Sequence, residues 1–208
     1  MGSVDTRWRW IVFVRSVLST VDNPGGPLFR ALGRELVRRG QEALFLEERA
    51  NSSVQALLRQ RGAAGMAELR EGWPELVYQT YERRFGADLV EWLGRTLATA
   101  DVALVEFGVD PALAHWVGEL TRPYLRTYLL DLMPDTPSLA GLRGQIDASR
   151  YSGVICSAAV AAGYEERLPA SQLIVAPIDL AAEPPEHGAA RLADLLLELL
   201  RAAPPAVP

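Results

Sequence analysis

Two acidic side chains close apolar runs, and that placement suits work on a hydroxyl group. Glu106 ends "DVALVE" and Asp131 ends "YLRTYLLD". A carboxylate held at such a point can orient a sugar hydroxyl or take its proton as a general base. Glu106 also has a structural reading, as the ion-pair partner of Arg15 or another arginine. Asp131 has no evident capping task. Asp135 lies four residues further on; beside a role at the site, it reads with Thr136 as the cap of a helix begun by Pro137. Arg15 directly follows the first apolar run, where a guanidinium can hold a phosphate or carboxylate or pair with a local acid. Asp110 precedes Pro111 and suits a helix start, and Ser157 follows another apolar run. Asn23, Gly25 and Gly26 belong to "NPGGP", the end of a stretch from Ser16 to Gly26 that reads as loop throughout. Strand-to-helix turns usually need about 2–6 residues, so this one is long enough to hold a ligand or partner. Its glycines let backbone approach closely, and Pro27 opens a helix whose free N–H groups favour anions. The same stretch also has the chemistry of a plain turn.

Other chemistries are excluded or weak. All 21 basic residues are arginines, so no lysine exists for a Schiff base or a Walker A loop. The turn after the first run lacks G-x-G-x-x-G, and no G-x-S-x-G elbow is present. One cysteine and two histidines, scattered, give no metal site. Cys156 reads as an inert buried thiol, since no histidine lies nearby in sequence. His115, beside Trp116, reads as a partly buried and satisfied side chain, and His187 as solvated. Trp73, Trp92, Tyr78 and Tyr81 suit a core more than a sugar platform; an exposed pair among them would suit stacking or a partner surface.

The elements that position these residues alternate along the chain. "WIVFV" is a strand buried on both faces, as in parallel sheets. "PLFRALGRELVRRG" is an amphipathic helix with Leu28, Ala31, Leu32, Leu36 and Val37 at core spacing and Gly40 as its stop. "EALFLEE" is the second strand. "SSVQALLRQ" is a short helix capped by Ser52 or Ser53, "MAELREGW" a weak third strand, and "PELVYQTYERRFGADLVEWLGRTLATA" a long helix kinked near Gly86. Strands at "DVALVEFG", "YLRTYLLDL", "SGVICS" and "QLIVAP" then alternate with helices at "DPALAHWVGEL", "TPSLAGLRGQIDAS", "AAVAAGYEERL" and "HGAARLADLLLELLRAA". The expected fold is α/β: a doubly wound, mostly parallel open sheet of about seven strands, helices on both faces, Rossmann-like, in the order 3-2-1-4-5-6-7. Ligands of such sheets sit beyond the carboxyl ends of the strands at the switch in order, here between strands one and four. That edge carries Arg15 to Gly26, Phe107 to Pro111, Asp131 to Thr136, and Ser157. Residues 1–185 are expected to form this domain, with 186–208 a helix and Pro-rich tail packed on it.

The 208 residues are 49% hydrophobic, enough for a core, and the formal charge of −5 argues against nucleic-acid binding. No run approaches the roughly 20 apolar residues of a membrane span, and "MGSVDTRWRWIVFV" lacks the pattern of a secretory leader. A lone cysteine suits a reducing, cytoplasmic location.

"IVFVRSVLSTVDNPGGPLFRALGRELVRRGQEALFLEE" resembles the opening of two-domain, GT-B-type glycosyltransferases, where a strand, a Gly-containing loop and a helix ending "ARELARRGHEV" follow one another. "YLLDLMPDTPSLAGLR" resembles the "D-x-D-T-P-x-x-L" stretch of the spore-maturation, CgeB-like and group 1 branch, read here as Asp131 to Pro137. "YSGVICSAAVAAGYEERL" matches the next unit, and the likeness covers roughly residues 10 to 180. It implies an acceptor-side domain that takes part in sugar transfer from a nucleotide-sugar. Beyond "LIVAPIDL" the chain shows no second nucleotide-binding half, so the donor would need a second domain or subunit. No cofactor is expected to bind tightly. The expected partners are a sugar acceptor or small anionic ligand, with a protein partner or second copy possible. The alternative is a non-catalytic α/β binding or interaction module.

Overall fold

A computed structural model describes residues 6–18, 25–120, 122–134, 136–178 and 182–202, without the side chains of 66, 69, 137 and 138. Seven parallel strands form one sheet in the order β3-β2-β1-β4-β5-β6-β7. They are β1 (Arg9–Val14), β2 (Glu42–Glu48), β3 (Tyr78–Tyr81), β4 (Val102–Glu106), β5 (Arg126–Asp131), β6 (Gly153–Cys156) and β7 (Leu173–Val175). The helices are α1 (Gly26–Arg38), α2 (Ser52–Gly72), α3 (Gly86–Thr96), α4 (Pro111–Glu119), α5 (Pro137–Arg143), α6 (Ala158–Glu165) and α7 (Pro185–Ala202), with a 3-10 turn at Ala148–Arg150. The fold is therefore α/β and Rossmann-like, with the expected strand order.

Period-two alternation builds two cores, one on each face. Val12 and Val14 of β1, Leu104 of β4 and Leu130 of β5 face α1 and α7. Phe13, Val105 and Leu129, their neighbours in sequence, face α3, α4 and α6. Helix α1 buries Leu28, Ala31, Leu32 and Leu36 as its spacing requires, but leaves Val37 exposed. It stops where Gly40 adopts φ 74°, and Gln41 N–H closes onto the Leu36 carbonyl at 2.9 Å.

Four expectations about elements are corrected. "MAELREGW" continues α2, whose two helical parts meet at non-helical Gly62. The cap of α2 is Asn51, which accepts Val54 N–H at 2.8 Å and leaves Ser52 and Ser53 inside the helix. The third strand is Tyr78–Tyr81, within the stretch expected to be one long helix; Gly86, at φ 52°, starts α3 rather than kinking it. The helix expected over "TPSLAGLRGQIDAS" ends at Arg143 and resumes only as the 3-10 turn.

Candidate functional site

The switch in strand order falls at β1, which pairs with β2 on one side and β4 on the other. Beyond the carboxyl ends of β1 to β4 lies a polar cleft of about 420 Å³. Arg15 enters it from the end of β1, Glu48 from β2, Tyr81 and Arg83 from β3, and Gly108 to Pro111 from β4. Asn51, Ser52 and Ser53 bring in the first turn of α2, while Asp110 and Pro111 bring in that of α4. Helix N-termini favour negative charge or hydroxyl oxygens, so two favourable dipole ends meet in one cleft.

The charged groups of the cleft hold one another. Arg83 pairs with Asp110 at 2.8 Å and with Glu48 at 3.3 Å. Asp110 also caps α4, accepting Ala112 N–H at 2.8 Å. Asn51 donates to the Glu48 carbonyl at 2.7 Å while capping α2. Gly108, at φ 96°, has no room for a side chain: a Cβ there would lie 2.8 Å from Cδ of Arg15. Burial and the neighbouring carboxylates of Glu48 and Asp110 push the Tyr81 phenol upward, so it remains a hydroxyl. Its ring stacks at 4.9 Å on Trp92.

The segment leaving β1 is clamped from both sides. Arg15 N–H donates to Glu106 Oε2 at 2.6 Å, and Val17 N–H donates to Glu47 Oε2 at 2.9 Å. Arg30 Nη1 donates to the Val17 carbonyl at 2.8 Å. Both glutamates are buried, and burial pushes each carboxyl up to about 7. Ser16, Val17 and Leu18 are buried too, so the start of the expected loop is packed and not free.

The residues named from sequence therefore separate. Arg15 and Asp110 line the cleft. Gly25 and Glu106 do meet, with Leu28, Phe29, Leu130 and Met133, but the space between them is about 10 Å³. That barely reaches the volume of one water, so the start of α1 opens onto no ligand space among the described residues. Gly26, the first residue of α1, is itself buried. Asp131 is wholly buried on the far side of β4. It accepts from Arg143 Nε at 2.6 Å, from the Tyr164 hydroxyl at 2.8 Å and from Met133 N–H at 3.2 Å. It anchors α5 and α6 to the end of β5, which is a structural task the sequence did not reveal. Ser157 begins α6 on that same side, its N–H on the Asp131 carbonyl at 3.1 Å. Asn23 and Asp135 lie outside the described residues. Cys156 is buried, and burial pushes its thiol up to about 11, away from thiolate chemistry. His115 is exposed, edge-on to Trp116, and not partly buried as expected. Among the described residues no cluster of metal-ligating side chains occurs, and no helix is long and apolar enough to cross a membrane.

Half of the cleft went unassigned from sequence: Glu48, Asn51 and Arg83 were not named, Ser52 and Ser53 were read as helix caps, and Tyr81 was read as a core residue. The switch rule applied to the ends of β2 and β3 finds it, once β3 is placed correctly.

No protein-family model matches the chain, and no curated protein sequence matches it significantly. Among solved structures, an α,α-trehalose-phosphate synthase (UDP-forming) from Burkholderia xenovorans in complex with glucose-6-phosphate is similar at 15% identity and a TM-score of 0.38. The match covers 93% of this chain and 37% of that one. A second UDP-forming trehalose-phosphate synthase from Burkholderia xenovorans matches at 17% identity and a TM-score of 0.33, over 94% of this chain and 43% of that one. Orotidine 5′-monophosphate decarboxylase from Methanocaldococcus jannaschii, complexed with the inhibitor BMP, matches at 10% identity and a TM-score of 0.31, over 91% and 98%. This chain thus spans about two fifths of either synthase. Likenesses at these scores carry no argument about activity.

Proposed function

We propose that this chain is an acceptor-side, glycosyltransferase-like domain that holds a hydroxyl-rich acceptor in the cleft over β1 to β4. The cleft itself carries this reading. Two helix starts, two guanidiniums, two carboxylates and the hydroxyls of Ser52, Ser53 and Tyr81 surround one solvent-open space at the switch point. Donors and acceptors of both signs suit a sugar, whose hydroxyls both give and accept hydrogen bonds. Arg15 supplies the contact for a phosphate or carboxylate on that sugar. Transfer from a nucleotide-sugar would require a second domain or subunit above this edge, as the sequence resemblance implies.

The second reading is a binding module without catalysis. It is favoured by the engagement of the two acids first named as bases: Glu106 holds the Arg15 amide, and Asp131 is locked to Arg143 and Tyr164. Calorimetric titration tests both. Hexose 6-phosphates are expected to bind, with Arg15→Ala weakening them about tenfold through loss of a charge-assisted contact. Binding of neither hexoses nor hexose phosphates sinks the acceptor reading. Turnover of a nucleotide-sugar by the purified chain alone would overturn the need for a second domain.

A further inference from the structure

Arg30 is a cation in unusual surroundings. It sits on α1 at 8% exposure. Its Nη1 reaches the Val17 carbonyl, but its Nε is buried without a partner. No carboxylate pairs with it among the described residues, and only the Trp73 ring, 5.6 Å from its guanidinium carbon, faces its charge. Arg143, the other buried arginine, differs: its Nε is 2.6 Å from Asp131. A buried guanidinium lacking an anion costs stability, and an anion that reaches it recovers that cost.

Arg30 lines a pocket of about 350 Å³ between α1, the end of α2 and the start of β3. Its walls are mainly apolar, from Leu18, Trp73, Leu76 and Val77. A second guanidinium, that of exposed Arg70, stands at the pocket with its Nε on the Tyr78 hydroxyl at 2.9 Å. The Trp73 wall is fixed from outside: Arg34 lies 4.1 Å over its ring and pairs with Glu75. A bare inorganic anion would leave these apolar walls wet, and a neutral apolar molecule would leave Arg30 uncompensated. We propose that this pocket binds a small organic carboxylate, its apolar body against Leu18, Leu76 and Val77 and its carboxylate on Arg30, with Arg70 as a second cation. None of the cleft residues takes part, so this site stands apart from the acceptor cleft.

Thermal denaturation and calorimetry of the full chain test it with phenylacetate, hexanoate, neutral phenylacetamide and inorganic phosphate. Phenylacetate or hexanoate is expected to bind once per chain and raise Tm with concentration, while phenylacetamide and phosphate do neither. Arg30→Met is expected to weaken the carboxylate by about tenfold or more, and Arg70→Ala by about threefold. Arg70 is exposed, so its variant keeps the test open if Arg30→Met does not fold. Failure of both carboxylates to bind overturns the proposal. So does equal binding of phenylacetamide, or carboxylate binding unchanged in both arginine variants.

Discussion

Glu47 and Glu106 sit at the ends of the two strands that flank β1, and each spends one carboxylate oxygen on a backbone N–H of residues 15 to 17. Their shared environment has a thermodynamic sign. Both folded-state values, about 7, lie above those of an unfolded glutamate near 4.5. Folding therefore favours the protonated form, and this contribution is complete below about pH 4.5 and lost as pH rises through about 7. For one carboxyl the loss is up to about 3 kcal/mol. Glu106→Gln keeps an oxygen for Arg15 N–H but cannot ionise. Urea denaturation is expected to show the variant more stable than the parent by about 1–3 kcal/mol at pH 8 and no more stable at pH 4.5. A parallel pH dependence in both proteins would show that Glu106 ionises freely. Glu106 was legible in sequence because it ends an uninterrupted apolar run. Glu47 was not, because "LEE" at a strand end reads as two solvated acids; only the turn of the chain after β1 brings Val17 over it. Asp131 was legible as unusual but not as structural, since its partners Arg143 and Tyr164 lie 12 and 33 residues away.

Among the helices, two glycines with the same local propensity face different neighbours. Gly118, in α4, has the Tyr151 ring 3.0 Å and Arg150 Cβ 3.2 Å from where a Cβ would stand. That ring cannot retreat easily, because the Tyr151 hydroxyl bonds the Ala114 carbonyl of the same helix at 2.5 Å. Gly163, in α6, has open space. Alanine normally improves a helix over glycine by about 1 kcal/mol. Gly163→Ala is expected to gain roughly 0.5–1 kcal/mol, whereas Gly118→Ala loses about 1–2 kcal/mol from overpacking, both read from denaturation midpoints. Most elements were legible from periodicity and caps, down to the Pro111 start of α4. The third strand was not: Tyr78–Tyr81 is four residues long, sits at a sheet edge and lies between strongly helical stretches. Its misplacement also hid Tyr81 and Arg83, and with them the far wall of the cleft.

Across the whole molecule, the strand order followed from right-handed crossovers and needed no tertiary detail. The reach of the last helix did need it. Helix α7 returns over α1 and buries Ala189, Leu192, Ala193, Leu196, Leu197 and Leu200. The apolar stripe was legible, but not that it would lie on the first helix; Arg39 pairing with Asp194 at 2.9 Å fixes that contact. Leu196→Ala is expected to cost about 2–5 kcal/mol, lowering the midpoint of urea unfolding with an unchanged slope. A loss below 1 kcal/mol would mean that α7 adds little to the core. The interior strand β1 pairs with β2 through Arg9 and Glu42, but its other edge meets β4 only when Trp10 finds Val102. During synthesis at about 5–20 residues per second, that partner emerges roughly 5–20 seconds later. Until then the nascent chain carries "WIVFV" with one ladder edge bare, so faster elongation or a holding chaperone between those two moments is expected to raise the yield of folded protein.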